Sequence, residues 1–154
     1  MNRLYMLLTV MVIMGGALFA GHQALAKVLT GTAGEDTLLG TDTADGLDGR
    51  AGEDRLKGRD GADRLQGGRG EDVLKGNSGN DRLWGSRGND QIIPGAGNDK
   101  VYAGYGDDLI YARDIDGVDF IDCGPGFDKV ETIHRDDVTP SNCERAIGPR
   151  RGHI

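Results

Sequence analysis

Nine consecutive nine-residue units run without interruption from Gly31 to Tyr111, each approximating G-x-x-G-x-D-x-U-x with U aliphatic. The sixth position is aspartate in all nine: Asp36, Asp45, Asp54, Asp63, Asp72, Asp81, Asp90, Asp99 and Asp108. The eighth is aliphatic in all nine: Leu38, Leu47, Leu56, Leu65, Leu74, Leu83, Ile92, Val101 and Ile110. A Gly-rich flexible linker has no reason to hold one aliphatic residue in phase with one carboxylate. A short fixed period is the mark of a solenoid, in which each unit buries its apolar side chain only by stacking on its neighbours.

Within a unit, positions seven to nine, such as Arg82-Leu83-Trp84, suit a short strand whose central side chain points in while its neighbours point out. Positions one to six are rich in glycine, which permits positive φ and close backbone approach, and make the turn. Two units then form one coil with a strand on each side. Residues 18 apart stack on neighbouring coils, about 4.8 Å apart. One inner column is Leu38, Leu56, Leu74, Ile92 and Ile110; the facing column is Leu47, Leu65, Leu83 and Val101. The expected fold is all-β: a parallel β-roll with two short strands per 18-residue coil.

The same stacking sets the aspartates in two columns. Coulomb's law gives roughly 1 kcal/mol of repulsion per neighbouring pair in water and about 3–4 kcal/mol at an effective dielectric of 20. Closure therefore calls for a cation between the carboxylates. Carboxylates and turn carbonyls are hard oxygen donors, which select Ca²⁺ over Mg²⁺ with its stricter octahedron. No Cys or His falls within the nine units to recruit a softer metal.

Units such as Gly76-Asn77-Ser78-Gly79-Asn80-Asp81-Arg82-Leu83-Trp84 and Pro94-Gly95-Ala96-Gly97-Asn98-Asp99-Lys100-Val101-Tyr102 resemble the RTX, or hemolysin-type, calcium-binding repeat. The resemblance covers 81 of 154 residues and implies calcium bound at the position-six aspartates. Seven same-edge neighbouring pairs set an upper figure of about seven internal ions. Asn80, Asn89, Asn98 and Asp107 are expected to shape the turns beside the ligands. One apolar side chain per unit is thin support, so folding and calcium binding are expected to be one event. Thr43 stands where the pattern has its second glycine, and a β-branched residue tolerates positive φ poorly, so the calcium site near Thr43 is expected to be the poorest of the array.

After a two-residue insertion in 112–122 the register recovers at Gly117, Asp119 and Ile121, then at Gly126, Asp128 and Val130. Asp119 and Asp128 are weaker ligand candidates, and the roll is expected to span residues 27–131. Residues 132–154 are read as a cap and tail, since an open coil exposes its core.

Residues 1–26 read as a secretory signal peptide, with Arg3, an apolar run from Leu4 to Phe19, and Ala24-Leu25-Ala26 as the cleavage site; an uncleaved membrane anchor is the alternative. Many RTX proteins leave through a C-terminal signal, so this leader departs from that pattern. Export puts the chain where calcium is plentiful. Cys123 and Cys143 are the only cysteines; in an oxidising compartment a disulfide tying cap to roll is the leading reading, two free thiols the alternative. The segment from Asp122 to Asp128 and the later Cys143-Glu144-Arg145 resemble C-terminal caps of secreted repeat proteins of this family.

The formal net charge of −7 argues against a nucleic-acid binder. No catalytic constellation emerges: His134 beside acidic residues reads as a solvated cap residue, and Asp107-Asp108 as a turn residue and a ligand. The expectation is a secreted, monomeric, non-enzymatic calcium-binding protein. The rival is an extracellular adhesion or glycan-binding module rigidified by calcium. Trp84 and Tyr102 lie on one outer face with Arg64, Arg82 and Lys100, while Ile93 and Tyr111 lie on the other.

Overall fold

The computed structural model describes residues 25–113, 117–132, 142, 143 and 145–147. Most of the expected leader, His134, and most of the expected cap lie outside the described residues. The chain forms a parallel β-solenoid of about six turns, each of about 18 residues, with no helix among the described residues.

Among the described residues, thirteen strands follow one another. They are β1 (Val28–Thr30), β2 (Thr37–Leu39), β3 (Gly46–Ala51), β4 (Arg55–Asp60), β5 (Arg64–Arg69), β6 (Val73–Ser78), β7 (Arg82–Arg87), β8 (Gln91–Ala96), β9 (Lys100–Tyr105), β10 (Leu109–Ala112), β11 (Phe120–Asp122), β12 (Lys129–Thr132) and β13 (Arg145–Ile147). Odd strands β1 to β11 make one six-stranded sheet. Even strands β2 to β12 make the other, which β13 extends to seven. All pairings are parallel; from β1 to β12 every second strand returns to the same side of the coil, and β13 adds to β12 directly.

The expected columns form. Leu47, Leu65, Leu83 and Val101 pair in register on one sheet, and Leu38, Leu56, Leu74, Ile92 and Ile110 on the other. After the insertion, Ile121 stacks on Val101 and Val130 on Ile110, so both columns continue with a 20-residue step.

The strands are longer than the three residues expected. From β3 to β9 each runs through six residues, from position seven of one unit to position three of the next. Side chains alternate across a strand, so positions six, eight and one share the inner face. Position one is buried throughout the roll and always small or compact: Gly49, Gly58, Gly67, Gly76, Gly85, Pro94, Ala103, Ala112 and Cys123. This third inner column lets the two sheets approach closely behind the aliphatic one.

Cys123 and Cys143 form a disulfide across 20 residues of chain. Cys123 is fully buried in the core and Cys143 packs against it.

Candidate metal centre

Because position six shares the inner face, the aspartates enter the interior. Asp54, Asp63, Asp72, Asp81, Asp90, Asp99, Asp108, Asp119 and Asp128 are all at most 2% exposed. Asp45 is buried as well, and Asp36 in the first coil is half-buried.

The two oxygens of each carboxylate have different fates. Oδ1 accepts a hydrogen bond from the backbone N–H of the aspartate one coil earlier. Asp36 donates to Asp54 at 2.8 Å, Asp45 to Asp63 at 2.7 Å and Asp54 to Asp72 at 2.8 Å. The series continues from Asp63 to Asp81, Asp72 to Asp90, Asp81 to Asp99 and Asp90 to Asp108. It then steps by 20 residues, from Asp99 to Asp119 at 3.0 Å and from Asp108 to Asp128 at 2.9 Å. The carboxylates are thus stitched into the ladder that joins the coils.

Oδ2 is the other case. In Asp54, Asp63, Asp72, Asp81, Asp90 and Asp108 it is buried with no hydrogen-bond partner. A buried charged acceptor without a donor is costly, so such a row requires either protons or cations.

Backbone carbonyls converge on the same places. A Cβ added to Gly49 would lie 2.4 Å from Asp54 Oδ2 and 2.7 Å from the carbonyl oxygen of Gly67, one coil further on. At Gly76 the distances are 2.3 Å to Asp81 Oδ2 and 2.2 Å to the Pro94 carbonyl; at Gly85 they are 2.3 Å to Asp90 Oδ2 and 2.4 Å to the Ala103 carbonyl. An absent side chain therefore leaves a cradle between a carboxylate oxygen of one coil and a carbonyl oxygen of the next. No group of three or more His, Cys, Asp or Glu gathers to hold a metal among the described residues. A cation here would draw on carboxylates from single turns, completed by carbonyls, which is a hard-oxygen set of the kind Ca²⁺ accepts. The residues fit that ion.

Without a cation, burial makes these carboxyls hold a proton more tightly than an ordinary carboxylate does. Burial pushes Asp90 up to about 8, although the Asp72 N–H works against it and the carboxylates of Asp108, Asp72 and Glu71 add to the rise. Burial likewise pushes Asp72, Asp81 and Asp108 up to about 6, and raises Asp54 and Asp63.

Asp45 goes the other way. Burial alone would raise it, but the N–H groups of Thr41 and Lys27, the Thr41 hydroxyl and the Lys27 charge together hold its carboxyl below the usual range. Its neighbours explain this. Lys27 N–H donates to Oδ1, Thr41 N–H to Oδ2, and the Thr41 hydroxyl lies 3.0 Å from Oδ2 and 3.2 Å from Oδ1. Asp36 repeats the arrangement: Thr32 donates to its Oδ2 through N–H at 2.6 Å and through its hydroxyl at 2.9 Å.

The turn at Thr43 departs from the later ones in its backbone, and so does the turn before it. From Arg50 to Gly106 positions two and four of every unit have positive φ; Thr32, Gly34, Thr41 and Thr43 do not. The reading of the sequence missed the two threonines. A hydroxyl residue four places before the aspartate is not a sufficient signal, since Ser86 stands there before Asp90, whose Oδ2 has no partner.

Asn80, Asn89, Asn98 and Asp107 hold the turns in a specific way. Each side-chain Oδ1 accepts from a backbone N–H one coil on: those of Asn98, Asp107, Val118 and Phe127, at 2.8–2.9 Å. A second ladder thus runs beside the aspartate ladder in the later coils.

The family description "RTX calcium-binding nonapeptide repeat (4 copies)" matches residues 28–56, 57–92 and 95–114, more than half of the chain. This chain belongs to the RTX calcium-binding repeat family. A search of the curated proteins gives no match. As an RTX roll it continues for three strands beyond the last matched residue, through β11 in the odd sheet and β12 and β13 in the other, with Asp119 and Asp128 in place in the aspartate columns.

Proposed function

We propose that this is a secreted, non-enzymatic calcium-binding protein whose β-roll folds as it takes up calcium. The observation that carries the reading is the row of buried Oδ2 atoms without hydrogen-bond partners in Asp54, Asp63, Asp72, Asp81, Asp90 and Asp108. Asp99, Asp119 and Asp128 occupy the same columns and extend the ligand set. When bound, calcium supplies positive charge where these carboxylates would otherwise be desolvated and repel. The chain's own residues do the rest. Oδ1 fixes each carboxylate to the previous coil, and in the units that begin at Gly49, Gly58, Gly67, Gly76 and Gly85 the bare glycine at position one keeps the cradle open. Export through a leader at residues 1–26 supports the reading, since it delivers the chain to calcium-rich surroundings. On this account residues 27–131 form a monomeric roll and residues 132–154 its cap. Equilibrium dialysis against calcium, with magnesium as competitor, tests the proposal: several calcium ions per chain that excess magnesium does not displace. A chain that binds none would end it.

A second reading rests on the outer face of the odd sheet. Trp84 and Tyr102 stack with centroids 5.9 Å apart and planes 8° apart, and Phe120 adjoins Tyr102 at 5.8 Å. Such an aromatic strip, with Arg82 and Lys100 beside it, suits the flat faces of sugar rings, and would make the roll a calcium-stiffened glycan-binding module. Glycan-array binding that needs calcium and disappears in Trp84→Ala/Tyr102→Ala would favour it.

A further inference from the structure

The geometry points to a first coil that takes no calcium of its own: Thr32 and Thr41 fill, by hydrogen bonds, the places that cations fill in the later coils. This inference rests on the calcium-binding reading above and narrows it.

The cradle between the first and second coils has the same frame as the others. A Cβ on Gly31 would lie 2.8 Å from Asp36 Oδ2 and 2.6 Å from the Gly49 carbonyl; on Gly40, 2.6 Å from Asp45 Oδ2 and 2.4 Å from the Gly58 carbonyl. What differs is the occupant of Oδ2. In Asp54 and Asp63, one coil later, this atom has no hydrogen-bond partner. In Asp36 and Asp45 it accepts both a backbone N–H and a hydroxyl from the threonine four residues earlier. Donor hydrogens aimed at a carboxylate oxygen exclude a cation from the same lone pairs. Asp45 is satisfied on its other oxygen too, by Lys27 N–H, which stands where the preceding coil's aspartate N–H stands elsewhere.

The backbone agrees. Positive φ at positions two and four turns the later loops into their common shape, and the first coil lacks it at Thr32, Gly34, Thr41 and Thr43. Gly34 shows that the difference is not caused by residue type alone, since a glycine there has the freedom to follow the pattern. The whole coil adopts a closed turn.

The physical sense is that of an end cap. The terminal coil of a solenoid has a neighbour on one side only, and a cation at its edge would be held by an incomplete set of turns. A hydrogen-bonded turn ends the carboxylate columns without leaving a bare negative oxygen. Of the seven same-edge pairs in the regular array, one on each edge is closed in this way, which leaves five.

The test is the number of calcium ions bound per full-length chain at saturation, with far-UV circular dichroism in calcium as the check on folding. Asp36→Asn/Asp45→Asn keeps the wild-type number, whereas Asp72→Asn/Asp81→Asn loses at least two ions. The variant Thr32→Gly/Thr41→Gly/Thr43→Gly, which gives the first coil the glycines of the later turns, gains about one ion on each edge. Loss of ions from Asp36→Asn/Asp45→Asn with a normal β signal overturns the inference. If that variant loses its β signal, the glycine variant decides, and no gain in bound calcium overturns the inference. A wild-type chain that binds no calcium would instead bring down the underlying functional reading.

Discussion

Replacing Asp81 by asparagine should change sign with calcium. Asp81 is 1% exposed, its Oδ1 accepts the Asp63 N–H at 2.8 Å, and its Oδ2 has no partner. Asparagine keeps the Oδ1 acceptor and the shape but puts a neutral amide where the charged oxygen stood. Burial has already pushed the Asp81 carboxyl up to about 6, so in metal-free protein at pH 7.5 the native roll carries a charge it disfavours. Asp81→Asn removes that charge and should stabilise the metal-free roll. With calcium present the same change removes an ion's ligand. Each ion bound only to the folded state contributes about 2.7 kcal/mol when free calcium stands at 100 times its dissociation constant. Losing one ion should lower the melting temperature by roughly 10–20 °C for a roll of this size. The assay is thermal unfolding followed by circular dichroism, once in EGTA with a stabilising osmolyte and once in saturating calcium. If asparagine destabilises the roll equally in both, the carboxylate serves the hydrogen-bond ladder alone and the reasoning fails.

Acidity should act in the same direction as neutralisation. Raised carboxyls stabilise the metal-free roll fully below about pH 4, and this is lost as pH climbs through about 6 for Asp72, Asp81 and Asp108 and about 8 for Asp90. Metal-free protein should therefore gain β signal between pH 8 and 5, while half-saturation with calcium shifts to higher concentration; a flat metal-free profile would contradict this. Leu74→Ala, at a side chain fully buried between the sheets, should cost about 2–5 kcal/mol in calcium-loaded protein, read from denaturant midpoints. Arg59, held at a φ of 95°, should become more stable by about 1 kcal/mol as glycine, and an equal loss instead would show that its side chain matters more than its backbone. Cys123→Ala/Cys143→Ala should cost roughly 3 kcal/mol for a closed loop of about 20 residues, with the melting of the loaded roll as readout.

Much of this architecture was legible because it is written in side chains that repeat. The phase of Leu47 and Leu65 against Asp45 and Asp63 fixes the coil length, the two sheets and the stacking partners. The same phase carries over the insertion, which is why the positions of Ile121 and Val130 are legible in the sequence. What the sequence hid were features carried by backbone or by the absence of a side chain. Position one faces inward, but glycine offers no apolar signal there, so the six-residue strands looked like three. The difference between Oδ1 and Oδ2 of Asp72 depends on where a single N–H, that of Asp54, points. Thr32 and Thr41 occupy a position where other units have Arg, Gly, Asn or Ser, so their role emerges only when the turn's φ values and hydrogen bonds are seen together. Asn80 and Asn98 were placed in the turns correctly, but their bonding across coils needed the 18-residue stack to exist first.

The central claim is that calcium joins coils whose buried carboxylates would otherwise oppose each other. Titrating calcium into EGTA-treated protein at pH 7.5, while recording far-UV circular dichroism alongside the heat of binding, tests it directly. The account predicts little parallel-strand signal at the start and its appearance in step with the uptake of several ions. A full β signal before any calcium is added, unchanged at saturation, would contradict it.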